Sequence, residues 1–233
     1  MRCLVIDRSS SRPGMAVFVD GKLAFEQVWD GEPTRAPEWI AWTAEALAAH
    51  GMGVLDLETF VCGLGPGSFS GIRAALSAAQ GMALPGRRTV TGVASAAALA
   101  LEHADGAKDV TVIGDARRNR LWCVTYRVDA VAHRVRLADG RVPSHTAADF
   151  QLVPADALAQ TVPAGTRIVT TDWERLSGLL TPVFGVERLV TRAVFPGAVA
   201  MGNLAQSDPD ACVLEPLPIY LHPAVAEKAQ QAV

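Results

Sequence analysis

Chemistry in this chain would centre on one Gly-rich segment, Gly63-Leu64-Gly65-Pro66-Gly67-Ser68-Phe69-Ser70-Gly71-Ile72-Arg73. Its glycines permit positive φ and close backbone approach. Ser68 or Ser70 is placed to cap a following helix. A strand-to-helix loop of this kind can cradle an anion at the helix N-terminus. Two familiar phosphate motifs fail, however. A Walker A loop ends in Gly-Lys-Ser/Thr, where this one reads Ser-Gly-Ile. The fingerprint Gly-x-Gly-x-x-Gly meets Ser70 or Ser68 at its last position, depending on the starting glycine. Three readings stay open: an anion site, a partner-contact loop, and a tight turn that aims the next helix.

Other reactive side chains are scattered. The histidines (His50, His103, His133, His145, His222) form no H-E-x-x-H pair, the spacing that puts two ligands on one helix face. Ser68 and Ser70 have no general base close by in sequence. Cys3, Cys62, Cys123 and Cys212 include no C-x-x-C and read as small core residues. No metal and no cofactor is therefore expected, and the chain is expected in a reducing cytoplasm. No run reaches the ~18 apolar residues of a membrane span. Half of the 233 residues are hydrophobic and 19% are charged, which suits a packed core rather than disorder. The net charge of -3 argues against a chain that grips RNA mainly by itself.

The elements that must position these residues begin with a strand at Arg2–Ile6. Met15–Val19 follows as a second strand, and Asp20-Gly21 signals a hairpin into Leu23–Trp29. A helix runs from about Pro37 through Trp39, Trp42 and Leu47, and Gly51 and Gly53 stop it. Thr59–Leu64 is a strand, and the Gly-rich loop leads into a helix ending near Leu84, before Pro85-Gly86. A strand at Thr89–Val93 and an Ala-rich helix from Ser95 complete the first half. The pattern then restarts. Val110–Ile113 ends at Gly114-Asp115, and Leu121–Val128 alternates with Trp122, Val124, Tyr126 and Val128 on one face. His133–Leu137 follows as a third strand, and the final helix starts at Pro196.

Each half thus opens with a strand, an aspartate and an Arg-containing turn. This predicts an α/β duplication of mixed sheets flanked by helices, with domains at 1–106 and 107–233. The last helix is expected to pack back on the first domain. The arrangement resembles the two-domain actin-like ATPase (ribonuclease H-like) architecture of sugar kinases and Hsp70; one doubly wound sheet is the alternative. In such ATPases the first-hairpin aspartate helps to hold phosphate and metal. Asp7 and Asp115 occupy that place, but Arg8 follows the first and Ala116-Arg117-Arg118 the second. Both hairpins read as degenerate phosphate grips, or as aspartates that bond their own turn.

The helix after the loop carries a core stripe, Ile72, Ala75, Leu76, Ala79 and Ala83. A second stripe, Ala74, Ala78 and Gly81, is small enough for another helix to approach. Trp39 and Trp42 are large anchors of the kind favoured in interfaces, or core residues.

Gly65-Pro66-Gly67-Ser68-Phe69-Ser70-Gly71-Ile72-Arg73 resembles the G-P-G-S-F-T-G-[VI]-R signature of the TsaB (YeaZ) family. Leu4-Val5-Ile6-Asp7, Gly114-Asp115-Ala116-Arg117 and Pro218-Ile219-Tyr220-Leu221 are similar, in order, to that family's opening strand, D-A-R motif and closing P-x-Y-L. The resemblance implies a non-catalytic scaffold that pairs with a TsaD-type transferase and a TsaE-type ATPase. That complex forms N6-threonylcarbamoyladenosine at position 37 of tRNAs reading ANN codons. It implies tRNA contact only through the complex, and partner binding or homodimerisation through the first-domain helices. Here those helices carry Trp39, Trp42, Arg73, Ala74, Ser77, Ala78 and Gly81. The alternative is an actin-like small-molecule kinase or ATPase. Two departures stand out: Arg8 follows Asp7 where the family has Thr, and Thr34–Glu38 lacks the family's histidine. An Ala78→Arg change is expected to block pairing while leaving the fold intact.

Overall fold

The computed structural model describes residues 1–29, 36–209 and 212–222. Thr34 and Arg35, within the stretch that lacks the family's histidine, lie outside them. The first sheet contains β1 (Arg2–Asp7), β2 (Gly14–Val19), β3 (Lys22–Val28), β4 (Thr59–Gly63) and β5 (Thr89–Val93), in the order β3-β2-β1-β4-β5. The β1–β2 and β2–β3 pairs are antiparallel, whereas β4 joins β1, and β5 joins β4, in parallel. Helices α1 (Ala36–Ala49), α2 (Phe69–Ala83) and α3 (Ser95–Glu102) supply the connections.

The second sheet repeats this plan. Strands β6 (Asp109–Arg117), β7 (Arg120–Asp129), β8 (Arg134–Leu137) and β10 (Arg167–Thr170) lie in the order β10-β6-β7-β8. That is the β4-β1-β2-β3 arrangement with the same senses, because β6–β7 and β7–β8 are antiparallel and β10–β6 is parallel. A strand the sequence did not announce, β9 (Gln151–Pro154), pairs with the start of β7. Helices α4 (Leu158–Thr161), α5 (Trp173–Phe184) and α6 (Ala198–Ser207) follow among the described residues. Val186–Arg188 forms a 3₁₀ turn, and Leu189 makes a single bridge to Ile168.

Strand alternation divides the core into three layers. On β1, Cys3 and Val5 face one way while Leu4 and Ile6 face the other. Leu4 and Ile6 pack with Trp39, Leu47, Ala75, Leu76 and Ala79 of α1 and α2. Cys3 and Val5 join a central core that also takes Val110, Val112, Trp122, Val124, Tyr126 and Val128 from the second sheet. The outer face of that sheet packs Ile113, Leu121 and Cys123 on Leu158, Leu176 and Leu180 of α4 and α5.

The central layer is built from two exchanged helices. Helix α3, from the first half, contacts β6 and β7; α6, from the second half, contacts β1, β2 and β4; and the two helices contact each other. Gly202 of α6 lets Phe18 of β2 approach so closely that a Cβ there would lie 2.2 Å from the ring.

Candidate functional site

The site grows from the end of β1, where Asp7 is fully buried. Its Oδ1 accepts bonds from the Ser9 backbone N–H at 2.9 Å and the Ser9 hydroxyl at 2.8 Å. Its Oδ2 accepts from the Ser95 hydroxyl at 2.5 Å. Burial pushes the Asp7 carboxyl above its ordinary pKa, and the Ser95 and Ser9 bonds oppose that push. Ser95 Oγ in turn accepts the Gly65 N–H at 3.0 Å. One carboxylate thus ties together the β1–β2 hairpin, the Gly-rich loop and the start of α3.

The loop is moulded onto the hairpin. A Cβ at Gly67 would lie 2.0 Å from the Ser9 carbonyl oxygen, and one at Gly71 would lie 2.0 Å from that of Arg8. Ser68 N–H donates to Ser9 O at 2.7 Å, and Ser68 Oγ caps α2 by accepting from Gly71 N–H at 3.2 Å. Gly65 adopts φ +89°, a value open to glycine at little cost, and the peptide to Pro66 is cis. The donors that would line an anion cradle at Gly65, Ser68 and Gly71 are therefore used within the chain. Arg8 is 8% exposed, and its guanidinium carbon lies 5.3 Å from the Trp39 ring centroid.

The closing segment completes this site. Ile219 N–H donates to Leu64 O at 2.9 Å, and Val213 bridges Gly92. The Tyr220 and Phe69 ring centroids lie 5.1 Å apart, and the Arg73 guanidinium carbon lies 5.1 Å from the Phe69 centroid. Two segments separated by more than half the chain, the loop signature and Pro218-Ile219-Tyr220-Leu221, form one contact unit.

The second hairpin is closed differently. Asp115 forms ion pairs with Arg175 at 3.2 Å and Arg117 at 3.5 Å. Its backbone N–H donates to Asp172 Oδ2 at 2.9 Å, and Arg175 also pairs with Asp172. Asp172 and Arg175 stand after β10, the counterpart of β4, whereas Ser95, which holds Asp7, stands after β5. His222 reaches the neighbouring Ala116 carbonyl at 2.6 Å.

On the helices, the structure separates residues that looked alike in sequence. Arg73, Ser77 and Gly81 are exposed and Ala74 is half-buried. Ala78 is 6% exposed and belongs to the core beneath α2. This corrects the expectation that Ala78→Arg spares the fold, because the guanidinium would enter an apolar layer. Trp39 is fully buried, so it is a core residue rather than a surface anchor. Trp42 is half-buried and stacks on Trp29 at 6.3 Å. All four cysteines are free, and burial pushes the Cys123 and Cys212 thiols up to about 11. Such thiols stay protonated and inert at neutral pH.

Sequence reasoning missed Ser9 and Ser95, and it picked out Pro218-Ile219-Tyr220-Leu221 without placing it against the loop. Ser9 had a local signal, since an Asp followed two residues later by a backbone donor is an Asx-turn pattern. Ser95 is 88 residues from Asp7, and no local pattern connects them.

Comparison with known proteins fits this geometry. A family model described as TsaD, tRNA N6-adenosine threonylcarbamoyltransferase, matches residues 38–148, just under half of the chain. The Escherichia coli K12 tRNA threonylcarbamoyladenosine biosynthesis protein TsaB is 29% identical over 132 residues. That alignment covers 55% of this chain and only 56% of the E. coli protein. A Pseudomonas aeruginosa structure described as similar to peptidase YeaZ superposes with a TM-score of 0.71 at 23% identity, covering 95% of this chain and 99% of the other. The ethanolamine utilization protein EutJ of Carboxydothermus hydrogenoformans gives a TM-score of 0.50 at 11% identity, over 89% and 90% of the two chains. These structural likenesses establish a two-domain actin-like fold with mixed sheets. The chain is thus similar to TsaB over part of its sequence and to YeaZ in its fold.

Proposed function

We propose that this chain is a non-catalytic scaffold subunit of a cytoplasmic complex that forms N6-threonylcarbamoyladenosine at position 37 of tRNAs reading ANN codons. It pairs with a TsaD-type transferase, and a TsaE-type ATPase joins the pair. The relationship to a TsaB biosynthesis protein supports the pathway. The observation that supports the scaffold role is the closed site around Asp7. Its carboxylate oxygens are engaged by Ser9 and Ser95, and the Gly65, Ser68 and Gly71 N–H donors bond within the chain. The same closure weighs against an actin-like kinase or ATPase, which needs those groups for its nucleotide.

The partner face is assigned to the solvent side of α2, with Arg73, Ser77 and Gly81, and to Ile40 of α1, which is 45% exposed. A second copy of the chain would use the same face in a homodimer. Gly81 is the sharpest probe, since a Cβ there meets nothing within 4 Å. Co-purification with the TsaD-type subunit tests the assignment. Gly81→Arg should fold normally and lose the partner; retention at the wild-type level would show that this face is not the interface.

A further inference from the structure

Positive charge gathers at the tip of the β6–β7 hairpin, where Arg117, Arg118 and Arg120 are all exposed. Arg117 and Arg120 stand directly opposite each other across the two strands, a placement in which like charges repel. Arg117, Arg118 and Asn119 adopt left-handed backbone, with φ of +65°, +53° and +58°. Glycine and asparagine suit such a tip, and arginine does not. Turn stability therefore does not account for the arginines. Nor does local neutralisation. Asp115 lies 3.5 Å from Arg117, but Asp115 and Asp172 both pair already with Arg175. Among the described residues, neither Arg118 nor Arg120 meets a carboxylate.

An accessible aromatic pair adjoins this tip. Phe69 is 58% exposed and Tyr220 is 42% exposed. The tail segment that sets Tyr220 against Phe69 also sets His222 on the Ala116 carbonyl, one residue before Arg117. Tyr220 and His222 are two residues apart, so at most about 7 Å of backbone separates the two contacts. Rings and arginines therefore share one side of the molecule.

Exposed aromatic rings beside unneutralised arginines are what single-stranded nucleic acid needs, because bases stack on the rings and phosphates meet the cations. We propose that this surface binds a single-stranded segment of RNA, its bases stacking on Phe69 and Tyr220 and its phosphates meeting Arg118 and Arg120. The choice of RNA rests on the reading of the chain as part of a tRNA-modifying complex. The contact itself is direct, and so goes beyond tRNA held only through other subunits. Gly81, in the proposed partner face, lies about three turns further along α2 than Phe69.

The test is fluorescence anisotropy of the full chain at low and at moderate salt, with a fluorescein-labelled oligoadenylate and a blunt RNA duplex of equal length. Wild type should bind the single strand more tightly than the duplex, and less tightly as salt rises and counterions are released. Arg118→Glu combined with Arg120→Glu should weaken binding by about tenfold or more, since two attractions become repulsions. Phe69→Ala should weaken it by about fivefold or more through lost stacking, and Phe69→Trp should restore it. Lys22→Glu, at the opposite end of the first sheet from Asp7, should change nothing. Gly81→Arg, which tests the scaffold reading, should not weaken RNA binding, and the double arginine variant should still co-purify with the TsaD-type subunit. Each reading can thus fail without the other. Failure of wild type to bind the single strand overturns the proposal, as does equal affinity for the duplex. So does undiminished binding by the arginine or Phe69→Ala variants. Loss of the TsaD-type partner by the arginine variant would also overturn it, making the tip a protein contact.

Discussion

Gly67 and Gly71 show how a sequence signature can record packing rather than ligand binding. Each faces a hairpin carbonyl that a methyl group would strike. Gly67→Ala should therefore destabilise the fold by about 1–3 kcal/mol, as overpacking does. For a chain of this size that is several degrees in Tm, at about 2–4 °C per kcal/mol, and a thermal melt equal to wild type would refute the packing account. Asp7 gives a second prediction through pH. Its folded pKa is raised, chiefly by burial, so the folded state keeps a proton that the unfolded chain releases. Stability from this group is complete below the unfolded value of about 3.9 and declines as pH rises through the raised folded value. In Asp7→Asn that decline is removed. Denaturant titrations should show the stability difference moving in favour of the Asn variant as pH is raised from about 4 towards 7; pH-independent differences would contradict it. The sequence pointed to the hairpin aspartate Asp7, with Arg8 beside it. Its true partner Ser95 was not, because only the folded chain brings α3 to the loop.

Element by element, strand alternation carried most of the readable information. Trp122, Val124, Tyr126 and Val128 alternate apolar against polar or smaller neighbours, and all four enter the central core. β9 escaped because four residues ending in Pro154 hold too few alternations to stand out. α2 shows a different limit. Alanine is equally at home in a core and on a surface, so Ala74 and Ala78 carried no sign of which side they face. The structure separates them, and this gives paired expectations for one helix. Ala78→Arg buries an unpaired charge and should cost about 3 kcal/mol or more. Gly81→Arg should be neutral or stabilising by up to about 1 kcal/mol, from helix propensity. Melting curves of the two variants check the difference. Equal stability would mean that α2 is rotated from the orientation described here.

Across the whole molecule, the exchange of α3 and α6 makes the halves depend on each other. Val110, Val112 and Tyr126 share a core with Cys3, Val5 and Phe18. A fragment of residues 1–106 would expose one face of its sheet and leave α3 without β6 and β7. It should lack the cooperative unfolding transition of the full chain; a sharp two-state melt of the fragment would contradict a shared core. This mutual dependence also explains why the tail can serve the loop. Ile219 and Tyr220 reach Leu64 and Phe69 only because both halves are already in place. The proposed role gives this body the task of presenting a helix face to a partner. The most direct measurement of that role is tRNA modification reconstituted from the TsaD-type and TsaE-type subunits, a threonylcarbamoyl donor and substrate tRNA, with and without this chain. Threonylcarbamoyladenosine should form only when the wild-type chain is present, fall to background with Gly81→Arg, and not form with the chain alone. Full modification in its absence would contradict the account.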